Sequence, residues 1–223
     1  MEDHMAEDAG ITPVTQNSVA DPAPLGLAAF ALTTFLLSAK NAGWMSHASG
    51  VTFVGYAFAY GGICQLLAGM WEFKNKNVFG ATAFSTYGGF WIGLYFYVHD
   101  FGVGLLGAKE FALFNHDLGW ILLAFAVFNT YMLIMSTQVS VAVFAVFLTL
   151  EITEIVGAIA NFDAGAAANP TGMVKVAGYI GIVTAIAAWY ASAAGVSRGI
   201  VGSAIRLPVG GKVYSGRAAS TRV

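Results

Sequence analysis

The chain has 223 residues, 57% of them hydrophobic and 10% charged, where a soluble domain carries roughly 25% charged residues. A net charge of −2 offers nucleic acid no basic face, and the single cysteine, Cys64, excludes an internal disulfide and a Cys-based metal site. These bounds describe an all-α polytopic membrane protein built as one domain.

Residues 1–20 carry Glu2, Asp3, Glu7 and Asp8 and no lysine or arginine. They lack the positive region of a signal peptide and read as a mobile acidic tail. The next stretch, Asp21-Pro-Ala-Pro-Leu-Gly-Leu27, opens the first long apolar run. Proline is tolerated only in the first turn of a helix, so Pro22 and Pro24 mark a preset helix start. Unpaired N–H groups and the helix dipole make such a start suited to an anion, a device that recurs in transporters. Pro22, Ala23, Pro24, Leu25, Gly26 and Leu27 are therefore read as a substrate vestibule.

A crossing helix needs roughly 20 mostly apolar residues. Six stretches qualify, at about 25–43, 51–71, 79–98, 118–136, 139–160 and 173–195. They are too long and too evenly apolar for transmembrane strands, which alternate over about 10 residues. The transmembrane domain thus extends over 21–198, with a polar, glycine-rich C-terminal tail over 199–223. The connection from His99 to Asp117 is the longest and is read as partly interfacial, whereas Thr137-Gln138 is tight enough to force antiparallel neighbours. Six crossings place Lys74, Lys76, Arg198, Arg206, Lys212, Arg217 and Arg222 on one side and only Lys40, Lys109 and Lys175 on the other. Positive loops stay inside, so both termini are expected in the cytoplasm of a cell-membrane protein.

Small residues punctuate the second run (Gly55, Ala59, Gly62, Gly69), the third (Gly88, Gly89, Gly93) and the sixth (Gly178, Gly181, Ala185). They read as packing seams between helices, some of them open to contacts between protomers. Glu151 and Glu154 lie in the middle of the fifth run, three residues apart and hence on one face. An acid at a helix centre costs on the order of 3 kcal/mol on insertion, so the pair needs a reason. Proton coupling is one reason; pairing with polar neighbours such as Gln65, Asn129 or Thr153, or a place at a subunit seam, is the other, and both stay open. Gln65 and Asn129 are themselves read as interhelical hydrogen-bonders, with lining of a polar path as the alternative. Glu72, Lys74 and Lys76 read as solvated at the cytoplasmic rim, and His47, His99 and His116 as surface groups without metal-ligand spacing.

The segments Tyr60-Gly-Gly-Ile-Cys-Gln65, Ala68-Gly-Met-Trp-Glu-Phe73 and Phe79-Gly-Ala-Thr-Ala-Phe-Ser-Thr-Tyr-Gly-Gly-Phe-Trp91, with the opening heptad and Asn41-Ala-Gly43, resemble the signature of the succinate–acetate permease family. The resemblance covers about 21–195 in order and spacing. It departs at Asp21, where the family usually has Asn; Asp21 is read as a helix cap or as a group facing the substrate. The resemblance implies six-helix protomers assembled as a homohexamer, and an acetate path through each protomer. It also implies an apolar constriction of Phe30, Tyr87 and Leu150 from the first, third and fifth helices. Such a ring suits a small carboxylate: the methyl end tolerates apolar walls, and the oxygens can accept a hydrogen bond from the Tyr87 hydroxyl or a backbone N–H.

The expected function is membrane transport of acetate, and of succinate or other short carboxylates, without cofactor or metal and either passively or with protons. A carboxylate-binding membrane sensor is the alternative. A retinal-bound pump lacks its mid-membrane lysine, since Lys40 and Lys175 fall near helix ends, and no nucleophile–base pair points to an enzyme.

Overall fold

A computed structural model describes residues 19–45, 52–102, 108–163 and 172–215. Helix α1 is Ala23–Asn41. Helix α2 is continuous through Thr52–Tyr56, a π-helical stretch Ala57–Cys64 and Gln65–Lys74. It is followed by α3 (Val78–Gly102), α4 (Ala108–Ser136), α5 (Val141–Asp163) and α6 (Gly172–Gly199). No strand occurs among the described residues. The first 18 residues of the acidic tail, residues 216–223 with Arg217 and Arg222, and His47 lie outside them.

Among the described residues five segments are long and apolar enough to cross a membrane: Ala23–Asn41, Phe53–Lys74, Ala112–Ser136, Val141–Asp163 and Gly172–Gly199. Helix α3 matches them in length, with 25 residues, but its glycines, tyrosines, serine and threonines dilute its apolar character. At about 1.5 Å per residue it reaches roughly 37 Å, more than the roughly 30 Å of a hydrocarbon core.

One expected boundary is wrong. The His99–Asp117 connection is helix at both ends: α3 continues to Gly102 and α4 begins at Ala108. In sequence the connection falls outside the crossing runs because it alternates apolar residues with polar ones such as Lys109, Glu110, Asn115, His116 and Asp117. Polarity marks where a helix leaves the hydrocarbon, not where its backbone hydrogen bonds end.

The helices pack in an order set by short links and small residues. Helix α6 packs along both α1 and α5, α5 along α4, and α2 along α3. A Cβ on Gly88 of α3 would stand 2.8 Å from the Leu66 nitrogen of α2, so only glycine permits that approach. Gly178 and Gly181 of α6 lie as closely against Ser38 and Ala42 of α1. By contrast, Cβ atoms on Gly55, Gly89 and Gly93 would meet nothing within 4 Å, so these three are not seams inside the protomer.

Two apolar clusters fill the interior. One gathers Phe30, Tyr87, Met132, Val146, Phe147 and Leu150 around small residues of α1, α3 and α6. The other gathers Phe53, Val54, Trp91 and Leu94 toward the opposite end of the bundle. Large apolar side chains also cover the outside, among them Val127, Val183 and Ile186, each more than half exposed, as a lipid-facing surface requires.

After α6 the chain turns back as a strap over the α4–α5 turn. The amides of Val141 and Ala142 donate to the carbonyls of Gly211 (3.0 Å) and Val209 (2.9 Å), partnering two first-turn N–H groups of α5. The Thr137 carbonyl accepts from the amides of Val213 and Tyr214. Gly210 sits at φ +71° against Val141, a conformation and a closeness that favour glycine.

Candidate functional site

Helix α1 begins where the two prolines require it, with Pro22 as N-cap and Pro24 in the first turn. The Asp21 Oδ1 accepts the Ala23 N–H at 2.9 Å, so Asp21 is a cap. Ala23 is thus partnered and Pro24 has no N–H, which leaves this helix start far poorer in free donors than the sequence reading assumed. The carboxylate beside it further disfavours an anion held there. Within the expected vestibule, Leu25 is exposed. Gly26 lies against Phe84, where a Cβ would stand 2.7 Å from the ring, and Leu27 reaches the cavity described next. The Pro24 carbonyl accepts the Ser192 hydroxyl at 2.7 Å, tying the start of α1 to α6.

A cavity of about 20 Å³ lies where α1, α2, α3 and α5 meet. Phe30, Tyr87 and Leu150, the three residues of the expected constriction, all line it, and the Phe30 and Tyr87 rings meet edge-on with centroids 5.7 Å apart. Leu27, Gln65, Phe84 and Phe147 complete most of the wall. The volume holds about one water, too little for a carboxylate such as acetate.

Phe84 and Phe147 were not singled out from the sequence, yet the signal was present. Each lies three residues before a residue of the expected constriction, Tyr87 and Leu150, and therefore on the same helix face.

Gln65 and Asn129, which looked alike in sequence, differ. Gln65 is buried on the cavity wall and its Oε1 has no hydrogen-bond partner. It arrives there at the end of the π-helical stretch, where Gly61 and Gly62 let the widened backbone sit close to Thr33, Trp91 and Ile92. Asn129 is fully engaged. Its Nδ2 donates to the Phe147 carbonyl (2.9 Å) and to Glu151 Oε2 (2.7 Å), and its Oδ1 accepts the Tyr87 hydroxyl at 2.9 Å.

The two acids of α5 also differ. Glu151 is half-buried and accepts from Asn129 and from the Thr130 hydroxyl at 2.7 Å. Glu154 is buried, its Oε1 lies 3.2 Å from the Tyr87 hydroxyl oxygen, and its Oε2 has no partner. Thr153 pairs instead with Thr184 of α6.

Glu72 departs from expectation. It is buried at 1% exposure beside Gly80 and Asn77, not solvated at the rim, because α3 starts immediately after the 74–78 link and folds over it. His99 and His116 are exposed, each next to its neighbouring aspartate. Among the described residues no group of three or more His, Cys, Asp or Glu could hold a metal ion.

Residues 5–208 match the GPR1/FUN34/yaaH family. The chain belongs to that family. It is 41% identical over 192 residues to acetate permease A of Emericella nidulans, covering 82% of this chain and 64% of the relative. It is 34% identical over 192 residues to the succinate-acetate/proton symporter SatP of Escherichia coli K12, covering 86% of this chain and 96% of the relative. A solved structure of the bacterial acetate channel SatP superposes with a TM-score of 0.72 at 30% identity, covering 86% of this chain and all of that one. The chain spans only 64% of the length of acetate permease A and 65% of two further relatives from Saccharomyces cerevisiae. The family resemblance read from the signature segments is borne out, and the fold is that of a multi-pass membrane protein.

Proposed function

We propose that the chain carries acetate, and succinate or other short carboxylates, across the cell membrane through a path inside each protomer that closes at Phe30, Tyr87 and Leu150. The observation that carries this reading is the cavity. Four aromatic rings with Leu27, Val146 and Leu150 suit the alkyl end of a small acid, while the unpartnered Gln65 Oε1 can accept a hydrogen bond from the protonated acid. The names of the relatives, acetate permease, succinate-acetate/proton symporter and acetate channel, support the same cargo. Of the expected vestibule, Leu27 is the residue that leads into the cavity.

All six helices cross the bilayer, with α3 as the sixth crossing and both termini in the cytoplasm, following the lysine and arginine bias. The protomers form a homohexamer, and the open face of α3 at Gly89 and Gly93, one turn apart, is a close-approach surface for a neighbour. Movement of cargo is coupled to protons at the Glu151/Glu154 pair, with Glu154 taking the proton beside the Glu151 carboxylate. The buried, half-partnered carboxyl of Glu154 favours that over a purely passive channel. No group here serves an enzyme mechanism or a cofactor in this reading.

Purified protein in liposomes, given radiolabelled acetate with and without an imposed proton gradient, tests the proposal. Accumulation of acetate beyond its own pH-driven distribution supports coupled transport. Simple equilibration faster than in empty liposomes keeps the transport reading but removes the coupling. Binding without uptake leaves the sensor.

A further inference from the structure

The hydrogen bonds around Tyr87 can be counted, and they do not close with two carboxylates. The Asn129 Nδ2 donates to the Phe147 carbonyl and to Glu151 Oε2, which fixes the amide with Oδ1 toward Tyr87. Asn129 Oδ1 has no proton to give, so at 2.9 Å the Tyr87 hydroxyl must be the donor. A phenol has one proton. The Glu154 Oε1, 3.2 Å from the same oxygen, then faces a lone pair. Two acceptors at that distance repel unless the carboxyl carries the proton between them. The other oxygen of Glu154 is buried with no donor, so an ionised group would keep its charge uncompensated on both sides. As an acid, Glu154 needs only the acceptor that Tyr87 supplies.

The groups facing this position offer no alternative source of compensation. They are Tyr87 from α3, Tyr131 from α4 and Glu151 on α5 itself. No lysine, arginine or histidine pairs with either glutamate among the described residues. Glu151 is already served by two donors, Asn129 and Thr130, and is the one of the pair built to be a carboxylate.

We infer that Glu154 stands as the neutral acid beside the closed constriction, donates its proton to Tyr87, and so turns the Tyr87 hydroxyl onto Asn129, which is the positioning residue of the gate. This rests on the transport reading and deepens it. An anion nearing Tyr87 meets a neutral neighbour only while Glu154 holds its proton; without that proton a carboxylate stands 3.2 Å from the gate hydroxyl and repels the cargo. Loss of the proton also swings the phenolic proton from Asn129 to Glu154, so the protonation state sets which helix, α4 or α5, holds the gate tyrosine.

Infrared difference spectra of the full chain in detergent at neutral pH test this without any flux. Subtracting Glu154→Gln from wild type is expected to leave one carboxylic-acid carbonyl band, and subtracting Glu151→Gln to leave carboxylate bands. Tyr87→Phe, nearly isosteric, is expected to move the Glu154 band as its acceptor disappears. Asn129→Leu is expected to move it as Tyr87 loses its own acceptor. Carboxylate bands in the Glu154→Gln difference, or an acid band that stays in place in Tyr87→Phe, overturn the inference. A fixed band in folded Asn129→Leu removes Asn129 from the gate. Failure of wild-type protein to carry acetate would sink the transport reading and leave the spectra to judge the protonation state alone.

Discussion

Shortening Leu150 to alanine enlarges the cavity without removing a hydrogen-bonding side chain. Leu150 is 6% exposed, packs in the cluster with Phe30 and Tyr87, and lines a space of about 20 Å³. The change removes three carbons, which at about 0.8 kcal/mol each withdraws roughly 2.4 kcal/mol of apolar burial. The space left behind brings the total to about 3–5 kcal/mol. The same space admits the two extra methylenes of butyrate relative to acetate. A methylene in an apolar pocket is worth about 1–3 kcal/mol, or roughly 10–200-fold in discrimination. Leu150→Ala is therefore expected to raise the butyrate-to-acetate ratio of initial uptake at least about tenfold, with a lowered unfolding temperature. Radiolabelled uptake of both acids into the same proteoliposomes measures it. A wild-type ratio in a folded, enlarged variant would refute the assignment of Leu150 to the path.

Three further outcomes follow from other contacts. Tyr87→Phe leaves Asn129 Oδ1 and Glu154 without their shared partner and is expected to cost about 1–3 kcal/mol per unsatisfied group, read by thermal unfolding in detergent; an unchanged midpoint contradicts the bonds. Gly26→Ala drives a methyl to 2.7 Å from the Phe84 ring and is expected to slow acetate uptake at a cost of about 1–3 kcal/mol. Wild-type uptake and stability would show that the start of α1 does not hold Phe84 in place. Glu154→Gln imitates the neutral acid and is expected to flatten the pH dependence of uptake while the assembly persists on size exclusion. A wild-type pH profile would dismiss Glu154 as the coupling group.

Which parts of this arrangement were readable in the sequence follows from what each depends on. Apolar runs reported six helices because burial in lipid needs length and apolarity, both local properties. The α4 start was missed because residues 109–117 keep helical hydrogen bonds while polar residues (Lys109, Glu110, Asn115, His116, Asp117) interrupt their apolar run. Phe30, Tyr87 and Leu150 came from the family signature, not from any local property, since each alone resembles an ordinary core residue; the cavity supplies the physical reason they belong together. Glu72 and Glu154 needed three-dimensional facts. One is covered by the helix that follows it, the other by Tyr87 from a helix 67 residues away in sequence. The π-helical stretch left only a Gly61-Gly62 pair as its trace, and the C-terminal strap over Thr137 left none beyond its glycines.

The central claim is that cargo passes through the cavity inside the protomer. Ala83 and Leu150 line that cavity and belong to one cluster, so a volume added at one can be withdrawn at the other. The most direct test is acetate uptake by Ala83→Leu, alone and combined with Leu150→Ala, in liposomes with matched amounts of folded protein. The account predicts uptake at the level of empty liposomes for Ala83→Leu and recovery in the double variant. Wild-type uptake by Ala83→Leu would contradict it and put the path outside this cavity.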